Sequence, residues 1–194
     1  MNDEAQRLSD QIKKATADFD GRPPIEKWHP ELSGDMDLRI SREGSWIFKG
    51  NPIKREAIVR LFATILRREE DGHYYLVTPV EKWRISVEDA PLLAHGLEVM
   101  GEDKSQVITL TLNTGETVIV GDTHPLHMGH YPNSDEPRPV VDVLHGVEAR
   151  LTTAAYYDLA ALAVESADEA ANDAKNGCLG VWSNGVFFKL AENS

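Results

Sequence analysis

Lys82 and Arg84 stand two residues apart in the stretch VEKWRISV, residues 80–87. That spacing puts both cations on one face of a β-strand. A guanidinium beside an ammonium makes a strip suited to phosphate or carboxylate. The alternate face carries Glu81, Trp83, Ile85 and Val87, so Glu81 heads an apolar, core-facing register. A carboxylate there must be paired or reach water at the strand end, because an unpaired buried charge is costly. Arg55 and Arg39 are its expected partners. Glu81 and Lys82 diverge on this reading, as two separate anchors rather than one acid–base couple.

Other groups with chemical potential are scattered. His124, His127 and His130 recur at three-residue intervals, with Asp122 before them and Asp142 and His145 beyond. Imidazoles are good zinc ligands. This spacing matches no standard zinc motif, however, and Pro125 and Gly129 indicate an irregular segment, so a polar loop is expected and no metal is assigned. His29, Asp35 and Asp37 form a second carboxylate–imidazole group. There Met36, Leu38 and Ile40 alternate against Asp35, Asp37 and Arg39 as on a half-exposed strand. Trp46 and Trp182 each sit beside a hairpin turn, the best positions in the chain for an indole to stack on a base. No G-x-S-x-G, P-loop, H-E-x-x-H or strand-linked G-x-G-x-x-G occurs, so no catalytic residue and no cofactor is assigned.

The elements that must hold these residues follow from periodicity. Leu8, Ile12, Ala15 and Phe19 mark an amphipathic N-terminal helix, ended by Gly21 and Pro23-Pro24. Strands at Met36–Ile40 and Trp46–Phe48 flank a Ser41–Gly44 turn. A helix over about 54–68 carries Ile58, Leu61, Phe62, Ile65 and Leu66 on one face. Strands follow at about 73–77, 80–87, 92–100, 105–112 and 116–121, then a His/Pro-rich loop over 124–139. Strand 140–145 leads to an alanine-rich helix from about 153 into the 170s, capped by Thr152 or Thr153, with a break near Ser166 and Gly177 at its end. Asn184-Gly185 turns a closing hairpin between Val181-Trp182 and Val186–Leu190. The two helices echo each other at an offset of 98, Ile58, Leu61, Phe62 and Ile65 against Tyr156, Leu159, Ala160 and Ala163. The expected fold is α+β, with duplicated β-α-β type units: residues 1–20 an N-terminal helix, 21–90 a first unit, 91–194 a second, closely packed one.

Composition narrows the class. The 194 residues are 41% hydrophobic and 27% charged, ordinary values for a globular protein. The N-terminus lacks the apolar core of a secretory signal, and no run approaches the roughly 20 apolar residues that span a bilayer. The single cysteine, Cys178, fits a reducing compartment and reads as a small packing residue. A cytoplasmic location is expected, with no membrane. The net charge of −12 argues against nucleic acid. Residues 21–90 carry 12 basic and 12 acidic side chains, whereas residues 91–194 carry 5 and 15. An anionic small molecule would therefore be held mainly by the first unit.

WHP at 28–30, GSWIFKGNPI at 44–53, LVTPVEKWRISVEDAP at 76–91, HPL at 124–126 and GVWSNGVFF at 180–188 together resemble a bacterial family, domain of unknown function 1285. The resemblance implies a duplicated α+β arrangement whose second half is superficially similar to pleckstrin-homology-like folds. It also implies a small, nucleotide-like ligand bound between the halves in signal transduction. It carries no agreed site residues. The combined reading is a non-enzymatic regulatory protein with a ligand cleft between its units, contacted by Arg55, Glu81, Lys82 and Trp182, with Arg39 and His124 behind. Two alternatives stand: a metal-dependent hydrolase using the 124–130 histidines, and a protein-interaction module docking a basic partner through its N-terminal helix and acidic second unit. The oligomeric state is not legible.

Overall fold

The structure, a computed structural model, describes residues 3–17, 22–170 and 178–192. The fold is α+β and mostly β, with two six-stranded sheets, one two-stranded hairpin and few helices. The chain divides into two compact units. Unit 1 is Met1–Pro91 with Leu144–Val147, and unit 2 is Leu92–Val143 with Glu148–Ser194.

Unit 1 opens with helix α1 (Asp3–Thr16), whose Ile12 is buried. Strands β1 (Leu32–Ile40), β2 (Trp46–Phe48) and β3 (Asn51–Pro52) then form one antiparallel meander. Helix α2 (Glu56–Thr64) leads to a second, β4 (Leu66–Arg68), β5 (Tyr74–Val77) and β6 (Lys82–Val87). The two meanders join because β1 pairs with β6 in parallel. Ile40 lies opposite Trp46 on one side and Val87 on the other. Trp46 in turn meets Phe62 of α2, the ring centroids 6.1 Å apart and tilted, an arrangement aromatic pairs favour. Leu38, Ile40, Trp46, Ile58 and Phe62 are all buried. The alternation of Leu38 and Ile40 against exposed Asp35, Asp37 and Arg39 holds.

Unit 2 repeats the plan. Strands β7 (Leu92–Met100), β8 (Val107–Leu112) and β9 (Thr117–Ile119) form one meander, and β10 (Leu126–His130), β11 (Pro137–Leu144) and β12 (Val147–Leu151) the other. Here β7 pairs with β12 in parallel. Each sheet thus runs third-second-first-sixth-fifth-fourth in its own strand numbering. The duplication is real, but its register is not the one the helices suggest. The true equivalence sets β1 against β7 and β6 against β12. Helix α2 lies between the meanders of unit 1, whereas α3 (Thr153–Ala170) follows the last strand of unit 2's sheet. The offset of 98 aligned two helices that occupy different places in the repeat.

Three local expectations change. The helix expected over 54–68 stops at Thr64, because Leu66–Arg68 pair with β5 and Val77 N–H donates to Ile65 O at 2.9 Å. The expected 124–139 loop contains β10 and the start of β11, since Leu126–His130 gain a partner strand that local composition does not reveal. Strand β12 was not expected at all, although Val147, Ala149 and Leu151 are buried and alternate with half-buried Glu148 and Arg150. Helix α3 runs unbroken past Ser166, and Thr152 caps its start through Oγ1 to Ala155 N–H at 3.4 Å. Ala155, Leu159 and Ala163 form its buried stripe. Phe19, Gly177 and the side chains of Leu8, Ala15 and Cys178 lie outside the described residues.

The chain closes on β13 (Cys178–Ser183) and β14 (Val186–Glu192). Asn184 and Gly185 both have positive φ, 51° and 78°, as the tight hairpin turn that matches strand twist requires. Ser183 ties this hairpin to the sheet of unit 2. Fully buried, its Oγ accepts from Ile108 N–H at 2.9 Å and donates to Val120 O at 2.7 Å. Gln106 Nε2 donates to Trp182 O at 2.7 Å, and Asn184 N–H to Gln106 O at 2.9 Å. Ser183→Ala strands two buried backbone groups, so it is expected to cost about 1–3 kcal/mol in urea denaturation. A variant within about 0.5 kcal/mol of wild type would show that water replaces the hydroxyl.

Candidate functional site

The stretch Thr78–Glu81 is a turn rather than the start of a strand. Thr78 N–H donates to Glu81 O at 2.9 Å, and Thr78 Oγ1 accepts from Glu81 N–H at 3.0 Å. Val80 is 78% exposed at its tip. This corrects the strand expected over 80–87: β6 begins at Lys82, and Glu81 projects outward instead of heading a core register. Its carboxylate accepts from Trp83 Nε1 at 3.4 Å. From Lys82 onward the expected alternation holds, with Ile85 buried and Ser86 exposed.

Strand pairing then assembles a row that no local pattern contains. Arg67 of β4 lies opposite Tyr75 of β5, Tyr75 opposite Arg84 of β6, and Arg84 opposite Asp35 of β1. Directly opposed residues share a face, at about 4.8 Å per strand. Arg84 holds Asp35 with its fork, Nη2 donating to Oδ2 at 2.9 Å and Nε donating to Oδ1. Tyr75 donates its hydroxyl to Asp71 Oδ2 at 2.6 Å. Lys82 Nζ sits 3.0 Å from Glu69 Oε2 and 5.1 Å from the Tyr75 ring centre. Arg67 donates to Glu69 Oε1 at 2.5 Å and to the carbonyls of Ile25 and Trp28 at 2.8 and 2.9 Å.

These contacts push the ionisable groups away from neutrality. The hydrogen bond from Arg84 holds the Asp35 carboxyl below its ordinary value, and the same bond raises Arg84. Burial works to raise Glu69, but hydrogen bonds from Arg67 and Lys82 outweigh it and the group is held low. Asp71 is lowered first by Tyr75, then by the His73 amide. The Tyr75 phenol is pushed up to about 12 by its bond to Asp71 and by burial.

A hollow of about 450 Å³ opens at the Arg84–Asp35 end of this row, lined among others by Asp35, His73, Tyr74, Arg84 and Ser86. A second, more open one of about 490 Å³ is lined by Glu26, His29, Arg67, Glu69 and His145 among others. His29 and Asp35 therefore line different hollows. Burial holds the His145 imidazole below its usual value.

The expected contact residues distribute as follows. Lys82 belongs to the polar network, and Glu81 sits in the adjoining turn. Arg39 pairs with Glu88, whose carboxylate also accepts from Arg42 N–H at 3.0 Å. Arg55 occupies the residue before α2 and donates to Gln6 Oε1 at 2.5 Å. Neither Arg39 nor Arg55 reaches Glu81. In unit 2, Trp182 packs on Phe187 at 5.3 Å, with Lys104 Nζ 5.3 Å from its ring. His124 Nδ1 bonds Asp142 O, and His127 Nε2 bonds Asp142 Oδ2, each at 3.0 Å. Among the described residues no three His, Cys, Asp or Glu side chains come together as a metal site, and no helix is long and apolar enough to cross a membrane. His73, Tyr75 and Ser86 were not among the expected site residues, and Asp35, expected with His29 and Asp37, is held by Arg84 instead. The signal was the strip Lys82-Arg84 itself, whose partners come from β1 and the β4–β5 turn.

Fold and site together define a duplicated two-unit α+β protein with a polar, ion-paired sheet face in unit 1. The chain belongs to the DUF1285 family: residues 23–90 match its N-terminal domain, a domain of unknown function, and residues 91–190 match the C-terminal domain of this protein of unknown function. A DUF1285 family protein from Silicibacter pomeroyi DSS-3, known from its crystal structure, is 40% identical, with 92% of this chain and 93% of that one covered and a TM-score of 0.80. Another, from Shewanella baltica OS155, is 27% identical over 63% of this chain and 89% of that one, with a TM-score of 0.50. No curated protein matches.

Two measurements check the network. Because the folded Glu69 carboxyl is held low, its contribution is complete above its unfolded value and is lost as pH falls through the folded one. Glu69→Gln is expected to be about 1–3 kcal/mol less stable near neutrality, and to lose less stability than wild type between about pH 5 and pH 3. Equal acid slopes would refute this. In a spectrophotometric titration, one tyrosine is expected to ionise only near 12. In Tyr75→Phe that late step is expected to vanish.

Proposed function

We propose that the protein binds, rather than transforms, a small anionic molecule of the nucleotide class, in a regulatory role. The hollow over Arg84 in unit 1 is the site. The observation that carries this reading is the grouping of Arg84, His73 and Ser86 in the lining of one 450 Å³ hollow. That volume falls within the range of small-molecule pockets, about 300–1,000 Å³. Arginine's planar fork suits phosphate and carboxylate oxygens.

Binding is favoured over catalysis by the direction of the pKa shifts. General acid–base work is best served by a group that titrates near the operating pH. Here Asp35, Glu69 and Asp71 are held down while Tyr75 and Arg84 are held up, so each keeps one protonation state at neutrality. Asp35 and Arg84, the two of these in the lining of the hollow, offer it fixed charges.

A thermal-shift panel of mono- and dinucleotides at millimolar concentration tests the reading. A ligand at one hundred times its Kd stabilises the native state by about 2.7 kcal/mol, which raises Tm by roughly 5–10 °C in a chain of this size. Arg84→Ala is expected to abolish the shift. No shift across the panel, or one that survives Arg84→Ala, would overturn the assignment.

A further inference from the structure

Resting on the reading of the hollow as a ligand site, we infer that Asp35 is a built-in competitor, a carboxylate that fills the Arg84 fork until the ligand's own oxyanion displaces it. The ligand group is accordingly one that copies a carboxylate's paired oxygens, a phosphate or a carboxylate.

The backbone of β1 carries the first part of the case. From Leu32 to Ile40 this strand advances eight residues, while β6 advances only five from Lys82 to Val87. The surplus is taken up by register shifts between Leu32 and Gly34 and between Asp35 and Arg39, on either side of the Gly34-Asp35 pair. Bulges of this kind re-aim side chains and are common beside functional sites. Gly34 has φ +143°, and a Cβ added there would stand 3.3 Å from the Trp83 ring. The irregularity is therefore written into the sequence at Gly34. Its product is a carboxylate set directly opposite Arg84, at the wall of the hollow.

Exposure carries the second part. The Asp35 side chain is 67% exposed and the Arg84 side chain 39%. A carboxylate that open to water can leave the fork and regain its hydration, while the guanidinium stays in the lining. The Lys82–Glu69 pair on the same face is different, with exposures of 19% and 25%. It is a fixed part of the fold, whereas the Asp35–Arg84 pair can exchange partners.

Isothermal titration calorimetry on the full chain tests this, with inorganic phosphate and AMP as probes. Asp35→Asn and Asp35→Ala are expected to bind both probes roughly three- to tenfold more tightly than wild type. Arg84→Ala is expected to bind them at least about tenfold more weakly. Asp37→Asn removes the same charge from the same strand outside the hollow and controls for net charge; its affinity is expected to stay within about twofold of wild type. Binding detectable only in the Asp35 variants also supports the inference. Unchanged or weaker binding in both Asp35 variants, with Arg84→Ala still defective, overturns the competitor role and leaves the ligand site standing. An equal gain in Asp37→Asn overturns it as well. Failure of every variant and of wild type to bind removes the ligand site, and the inference with it.

Discussion

The parallel pairing of first and last strands is the constraint on which each unit depends. Within unit 1 it joins two antiparallel meanders into one sheet and brings Ile40 beside Val87 and Asp35 beside Arg84. Unit 2 repeats it between β7 and β12. Everything else in the sheets is local, made by short turns between sequence neighbours. Without the parallel seam each unit would be two three-stranded ribbons, each close to the lower limit of independent stability. The seam is also where Asp35 and Arg84, 49 residues apart in the chain, meet.

The ionic network pairs several of the 12 cations and 12 anions of a neutral segment. Arg67 and Lys82 converge on one half-buried carboxylate, and Arg67 also satisfies two backbone carbonyls. An unpaired ion at that depth would be heavily penalised. Toward β1 the face opens to water, and the Asp35–Arg84 pair there is more exposed. One sheet face thus grades from structural ions to exchangeable ones over the width of four strands.

What was legible in the sequence was local. The alternation of Trp83, Ile85 and Val87 against Lys82, Arg84 and Ser86 gives β6 its faces, and Asn184-Gly185 gives the last hairpin its turn. The α+β class and the duplication were also readable. Glu81 misled because a strand pattern extends smoothly through it. Only the Thr78 hydroxyl, which caps a turn ending at Glu81, reveals where the strand starts. Likewise Leu66 continues the helical stripe of Ile58 and Phe62 yet belongs to β4, its conformation decided by Leu76 opposite. The site residues were half readable. Lys82 and Arg84 announce themselves by spacing, but Asp35 and Glu69 become partners only through register. The helices misaligned the repeat because strand order lies beyond any local pattern.

The seam also sets a timetable for synthesis. As the chain leaves the ribosome, β1 can pair with β2 at once, but its other edge stays bare until some fifty residues later, when β6 emerges. Such an edge invites pairing with the wrong strand. The alternation that puts Asp35, Asp37 and Arg39 on one side of β1 gives the nascent strand a charged face, which discourages stacking on other chains while it waits. The carboxylate that ends in the grip of Arg84 therefore has an earlier task, as a guard on an unfinished sheet.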